Sequence, residues 1–397
     1  MTLNRRHVLA AAAWPWAWPV QAQVSAEWPR TLQAARGQTV YFNAWAGSER
    51  INAYLQWAGL EVQRLHGIKL EHVKVADTAE VVKRVRAEKA AARAEGSADV
   101  VWINGENFLA MKREGLLFGP FAESLPAYAA VDTLGKPTTR VDFSEPVDGM
   151  EAPWGMAQLT FYADGARVAQ PPRSLAALLD WAKANPGRFT YPRLPQFHGT
   201  TFVKQALLEA NTVHAAFYQP FDATSFERLT PVLWAYLDTL HPHLWRAGKQ
   251  FPANPTVMRQ MLADGELHIA LTFNPNEAAN QIAAKTLPAS VVSFQSERGS
   301  IGNTHFLAIP FNARAQAAAQ VFINFMLTPA AQARKADIRH WGDPTVLDLQ
   351  RLSTADRAAF AASQAPGQLL RSAPAWAEPH ASWVQPLERE WLRRYGA

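Results

Sequence analysis

Apolar and polar positions along this chain alternate between a strand-like period and a helical one, with glycine or asparagine at the changes. Val40–Trp45 (VYFNAW) is a short β-type run closed by Ala46-Gly47-Ser48. Ile51, Leu55, Ala58, Val62 and Leu65 then recur at helical spacing behind a Ser48 N-cap. Gly67 stops that helix, and Ile68–Val75 reads as a second strand. Asp77, with Glu80 three residues on, has the form of a capping box and opens a helix through about Arg93. Gly96 ends it, and Asp99–Ile103 is a buried third strand. The order β-α-β-α-β predicts right-handed crossovers and a parallel sheet.

The pattern then loosens. Phe121–Glu151 has no clean period and is expected to wrap the first lobe. Met156–Tyr162, after Pro153-Trp154-Gly155, is an extended run able to cross into a second lobe. Ser174 caps a helix through about Ala184, ended by Asn185-Pro186-Gly187, and Arg188–Tyr191 reads as a strand. His198-Gly199-Thr200-Thr201 opens another helix. Asn254-Pro255 is an N-cap and N1 pair for a helix ended by Gly265. Thr304–Pro310 is extended again, as a return crossing, and is followed by an amphipathic helix over Ala315–Leu327. Thr328-Pro329 starts a further helix, Trp341-Gly342-Asp343-Pro344 is a turn, and Ser382–Arg394 is expected to be a helix packed on the surface.

Two distant stretches share one layout. Gly96–Phe108 (GSADVVWINGENF) and Gly265–Ala278 (GELHIALTFNPNEA) each run from a glycine through an apolar strand to an Asn-rich turn and a helix start. Buried parallel strands that end in polar turns are where open α/β sheets hold ligands. One such turn in each half predicts two α/β lobes facing each other across a cleft, joined by extended crossings that suit a hinge.

A chain of 397 residues can hold two or three cored domains, and 48% hydrophobic with 18% charged residues excludes disorder or coiled coil. Arg5-Arg6, the apolar run Val8–Val20 and the small residues of Val20-Gln21-Ala22 form an export leader, with cleavage expected after Ala22. The apolar run is shorter than the roughly 20 residues a membrane helix needs. Export by general secretion and by a twin-arginine route both remain open, since Asn4 and His7 fit the twin-arginine pattern imperfectly. Removing residues 1–22, which carry two arginines and no acid, takes the net charge from +5 to +3. That mild, scattered charge argues against nucleic acid as a partner. With no cysteine the chain has no disulfide, no thiol metal site and no lipid-bearing N-terminal Cys.

The candidate cleft residues follow from the turns. Trp45, Gly47 and Ser48 end the first strand, and Asn104, Gly105, Glu106 and Asn107 end the third. His198, Thr200, Thr201, Asn274, Asn276 and Glu277 come from the second lobe, while Trp154 and Trp341 could stack on a planar or cationic solute. Each Asn, Ser or Thr could instead simply cap its own helix. Trp102, alternating inside a buried run, is assigned to the core. Glu106 and Glu277 could pair with a cationic or heteroaromatic, thiamine-like solute, or only complement their helix dipoles. An anionic solute at the helix starts Gly47/Ser48 and Thr200/Thr201 is the alternative. His241-Pro-His243 lacks a completing carboxylate, so no metal site and no cofactor are expected. No short catalytic signature is present and no catalytic residue is assigned; His198 beside Thr200 is the nearest fragment.

The leader, the paired strand–Asn-turn units and the two crossings together resemble a type II periplasmic solute-binding protein of an ABC importer. The run FINFMLTPAAQARK (Phe322–Lys335) is similar to the C-terminal helices common in that superfamily. VYFNAWAGSERIN, ADVVWINGENF, APWGMAQLTFYAD and PGRFTYPRLPQFHGTTF look like its YnjB-type branch, which is similar to receptors for thiamine, polyamines and iron. The resemblance spans Thr39 to Leu349. It implies a monomeric periplasmic receptor that closes over a small-molecule solute and delivers it to an ABC permease and ATPase at the inner membrane. It does not supply the ligand, and the absence of adjacent tyrosines counts against ferric iron. The expected fold is α/β, a two-lobe type II periplasmic-binding-protein fold with a hinge of crossing strands and an interlobe cleft. Its expected divisions are 1–22 leader, 23–152 first lobe, 153–303 second lobe, and 304–397 return to the first lobe with C-terminal helices. A secreted enzyme on the same frame and a non-transporting sensor are the other readings.

Overall fold

A computed structural model of the chain describes residues 20–360, 365–369 and 372–396. The expected leader lies outside these except for Val20–Ala22, which open helix α1 (Val20–Ala35). The first lobe then follows the anticipated order: β1 (Thr39–Trp45), α2 (Glu49–His66), β2 (Lys69–Val75), α3 (Thr78–Ala90), β3 (Val100–Ile103) and α4 (Glu106–Arg113). β1 pairs in parallel with β2 on one side and β3 on the other. Local chemistry sets the helix starts. Asp77 caps α3, its Oδ1 accepting from the Ala79 N–H at 2.8 Å. Ser48 stands at the N-cap of α2 in extended conformation, and its hydroxyl makes no capping bond. Residues 121–151 wrap the lobe in short 3₁₀ turns and the small hairpin β4 (Val141–Asp142) with β5 (Glu145–Pro146).

The expected crossing run is two strands in two sheets. β6 (Glu151–Gln158) stays with the first lobe, and β7 (Thr160–Asp164) becomes the middle strand of the second. Helices α5 (Leu175–Ala184), α6 (Phe197–Ala210), α7 (Ala223–Leu229), α8 (Pro231–Leu240) and α9 (Pro255–Ala263) follow. β8 (Ile269–Thr272), α10 (Glu277–Ala283) and β9 (Val291–Phe294) complete the lobe. Its sheet, in the order β8-β7-β9, is antiparallel at both interfaces, so the second Asn turn does not end a strand of a parallel sheet as expected. The cause is connectivity. β7 arrives straight from the crossing strand and inserts between two strands that run the other way. Arg188–Tyr191, read as a strand, instead carries separate backbone bonds, Arg188 O to His268 N–H and Phe189 O to Trp245 N–H. The prolines at 192 and 195 bring no N–H with which to extend a ladder.

β10 (Ser300–Ala308) returns antiparallel to β6 over seven paired positions, from Gly302 opposite Gln158 to Ala308 opposite Glu151, and also pairs with β3. α11 (Gln316–Met326), α12 (Pro329–Ala336) and α13 (Thr354–Ala358) pack on the first lobe. Val40, Phe42, Leu55, Val62 and Phe322 form one cluster on its sheet, and Val82, Val85, Val101, Ile103 and Phe108 form another.

The last segment departs from the expected return to the first lobe. β11 (Ala375–Trp376) pairs with the start of β10, and α14 (Val384–Tyr395) packs into the second-lobe core. Trp383, Leu387 and Trp391 are fully buried there, while Gln385, Arg389, Leu392, Arg393 and Arg394 stay exposed, so α14 is packed on the surface by one face, as expected. The spacing of four between the buried residues gives α14 that apolar face, and the Trp391 indole N–H donates to the Tyr191 hydroxyl at 2.8 Å. Trp391→Ala should therefore cost about 3–5 kcal/mol of folding stability. Urea unfolding followed by far-UV circular dichroism checks this; a loss below about 1 kcal/mol would mean that α14 does not belong to the core.

Candidate functional site

The two lobes enclose a cleft of about 290 Å³. Trp45, Gly47, Ser48, Asn104, Glu106, Asn107 and Trp341 line it from the first lobe, and His198, Thr200, Asn274 and Glu277 line it from the second. Four other candidates do not line it. Trp154 is fully buried beneath it, and Thr201 is buried with its hydroxyl on the Phe197 carbonyl at 2.8 Å. Gly105 turns the chain at φ +62°, with its N–H on Asp142 Oδ2 at 2.7 Å. A Cβ there would meet the Phe143 ring at 2.7 Å, so glycine is required twice over. Asn276 reaches away to the first lobe, donating from Nδ2 to the Gly342 carbonyl at 2.5 Å.

The two Asn turns do converge on the cleft. In each, the turn is followed by a glutamate as the first helical residue, Glu106 of α4 and Glu277 of α10. Asn274 accepts the Asn276 N–H on Oδ1 at 3.0 Å, an Asx turn that stiffens this end of β8. Glu277 is neutralised by Arg259 at 3.0 Å. Beside this turn the lobes touch directly. Asn280 Nδ2 donates to the Trp341 carbonyl at 2.6 Å, and Arg50 donates to the carbonyls of Ile338, Arg339 and Asn280 at 3.0–3.1 Å.

The first-lobe floor is aromatic over an ion pair. Trp102, assigned to the core from its sequence pattern, lines the cleft and stands edge-on to buried Trp154 at 5.0 Å between ring centroids. Trp154 in turn lies 5.4 Å from Trp341. Below these rings Lys335 and Asp343 pair at 2.5 Å, with His305 on the other Asp343 oxygen at 3.2 Å. Burial alone would raise the Asp343 pKa; the adjoining Lys335 ammonium and His305 outweigh it and hold the carboxyl below its ordinary value. Gly155 is the backbone against which this pair packs, since a Cβ there would fall 2.1 Å from Asp343 Oδ2.

Where the starts of α3 and α4 in the first lobe face α14 of the second, the cleft is acidic. Asp77, Glu106 and Glu388 line it, and none has a cationic side-chain partner within salt-bridge distance among the described residues. Burial raises the pKa of Glu106 and lifts that of Glu388 to about 7. Glu388 accepts the Thr200 hydroxyl at 2.6 Å, so a carboxylate of the chain itself already sits at the start of α6. Glu388 and Lys204, which also lines the cleft, escaped the sequence reading. Glu388 lies on a helix expected at the surface, and Lys204 lies mid-helix without a turn to mark it. Asp77 was assigned only as a cap, which it is.

His198 and Thr200 do not pair. His198 Nδ1 faces the Gln196 amide at 3.2 Å, and burial lowers the imidazole pKa to about 4. His241 contacts the Tyr191 hydroxyl at 2.6 Å within the core, and no group of three metal-ligating side chains occurs among the described residues.

Residues 57–359 match the family described as bacterial extracellular solute-binding protein. The chain is 49% identical to protein YnjB of Escherichia coli (strain K12), over 94% of this chain and 95% of that one. Among solved structures it is similar to the periplasmic binding protein AfuA of Actinobacillus pleuropneumoniae with fructose-6-phosphate bound, at TM-score 0.63 and 14% identity, covering 90% of this chain and 99% of that one. It is likewise similar to the spermidine/putrescine substrate-binding protein PotD of Streptococcus pneumoniae, at TM-score 0.62 and 14% identity, over 90% and 98% of the two chains. At such identities these structures share the fold.

Glu388 supplies a measurable signature. With its pKa at about 7 against an ordinary 4.5, the folded chain holds a proton that the unfolded chain has released between those values. Stability should fall as pH rises from about 4.5 through about 7, by on the order of 3 kcal/mol. Glu388→Gln should remove that part of the slope, read from urea unfolding across the window; equal slopes in both proteins would reject the raised pKa.

Proposed function

The chain belongs to the bacterial extracellular solute-binding proteins, and on that premise we propose that it captures a small cationic solute between its lobes for delivery to a membrane permease and ATPase. The observation that carries the charge assignment is the uncompensated trio Asp77, Glu106 and Glu388 beside the rings of Trp45, Trp102 and Trp341. Carboxylates at low dielectric attract a cation strongly, and indole faces add cation–π or stacking contact, which suits an organic, heteroaromatic cation of the thiamine kind. The anionic alternative loses support at α6, where Glu388 occupies the place an anion would take. Contacts from both lobes make a closed form bind more tightly than an open one, so capture shifts the population toward closure. Micromolar affinity corresponds to about 8 kcal/mol, within reach of a few desolvated polar contacts and one stacked ring.

Native mass spectrometry of the protein purified gently from the periplasm should show an added mass of a few hundred daltons that is lost on denaturation. Calorimetric titration should then find binding to organic cations such as thiamine or spermidine and none to sugar phosphates; the reverse preference would overturn the charge assignment. Glu106→Gln should weaken cation binding at least tenfold. Asn104→Ala and Asn274→Ala should each weaken it severalfold without unfolding the protein, with a small fall in melting temperature for Asn274→Ala from loss of its Asx turn, and unchanged affinity in both would remove the Asn turns from the site.

A further inference from the structure

Lys204 is out of place in an acidic cleft. It lines the cavity from the second turn of α6 with its side chain 1% exposed, 4.1 Å from the centroid of the Phe143 ring. The other cleft cation close to a lining acid, Arg259, is held by Glu277. Lys204 is held by a residue outside the cleft. Its Nζ lies 2.7 Å from Oε2 of Glu378, which is equally buried and sits in the tail between β11 and α14. Two elements hold that carboxylate, α6 through Lys204 and β10 through Asn303 Nδ2 on Oε1 at 3.1 Å, and the β4–β5 turn fixes the backbone of the residue through Ser144 Oγ on the Glu378 carbonyl at 2.8 Å.

We infer that Glu378 is the residue that decides the sign of charge the cleft accepts, acting as a positioning residue through Lys204. This takes from the proposed function only that the cleft is the solute site. Two opposite charges buried at contact distance partly cancel at longer range, so pairing with Glu378 weakens the field that Lys204 contributes to the cavity. The acids Asp77, Glu106 and Glu388 then remain to meet a solute, Glu388 in its charged form above about pH 7. Without the Glu378 charge, a buried ammonium would face the cavity with no partner of its own. It would compensate those acids, with whose titration it already interacts at Glu106 and Glu388, or draw in an anion. Glu378 thus sets specificity without touching the solute.

The test uses the mature full chain, Glu378→Gln and the double variant Lys204→Met/Glu378→Gln, titrated calorimetrically with spermidine, thiamine and inorganic phosphate. Glu378→Gln should bind the cations at least tenfold more weakly than the unaltered protein and phosphate at least tenfold more tightly. The double variant, with neither charge, should recover cation affinity to within threefold and bind no phosphate; a merely structural Glu378 would give no such recovery. If Glu378→Gln matches the unaltered protein for all three probes, the inference fails and the proposed function stands or falls on its own titration. If the unaltered protein binds no cation yet Glu378→Gln gains phosphate, the cation proposal fails and the role of Glu378 is upheld. Should Glu378→Gln not fold, the double variant decides, since phosphate binding by it would overturn the inference and cation binding without phosphate would support it.

Discussion

Both lobes hang from one antiparallel ladder, β6 against β10, and the geometry of the cleft is subordinate to it. The strands are almost wholly buried, so every backbone N–H and C=O along them must be paired, and the ladder resists deformation. Motion between lobes is therefore confined to the short hand-over beyond it. There Leu159 N–H donates to the Ile301 carbonyl at 2.8 Å and Gln158 N–H to the Phe273 carbonyl at 3.2 Å. The tail through Glu378 adds a third passage between lobes, joined to the β4–β5 turn, to β10 and to α6. A hinge of two strands and one strap permits rotation while limiting how far the cleft can gape.

The electrostatic plan follows from where those passages run. Three ion pairs lie around the cleft, Lys335–Asp343 below, Arg259–Glu277 at one side and Lys204–Glu378 behind. Each consumes a cation locally, which leaves the cleft acids in excess. Buried pairs of this kind contribute little net stability, because desolvation offsets their attraction. Their effect here is on the sign of the field in the cleft.

Much of the first lobe was legible in the sequence because its signals are local. β1, β2 and β3 are apolar runs bounded by caps and glycines, and their alternation with helical periods dictates a parallel sheet. The pairing of the Asn104 and Asn274 turns was legible for the same reason. What escaped the reading depends on contacts between distant residues. Nothing near Trp154 says that it lies beneath Trp102 and Trp341, since all three sit in similar aromatic contexts. The antiparallel second sheet comes from β7 inserting between strands more than 100 residues later in the chain. The burial of α14 had a visible sign in the spacing of Trp383, Leu387 and Trp391, but no local feature names the lobe it packs on. Lys204 and Glu378 are 174 positions apart, and only the fold makes them partners.

The contacts that join the lobes beside the second Asn turn have a lopsided chemistry. Asn276 and Asn280 of the second lobe and Arg50 of the first supply side-chain donors, whereas their acceptors across the seam, at Gly342, Trp341 and Asn280, are main-chain carbonyls. A carbonyl survives any substitution that leaves the backbone in place, but an amide or guanidinium does not. Sequence drift in the 338–342 loop can thus alter the cleft-facing ring at Trp341 while leaving the lobe-to-lobe seam intact. The lining of the cleft can then change on one side of this seam while the contacts that hold the lobes together persist.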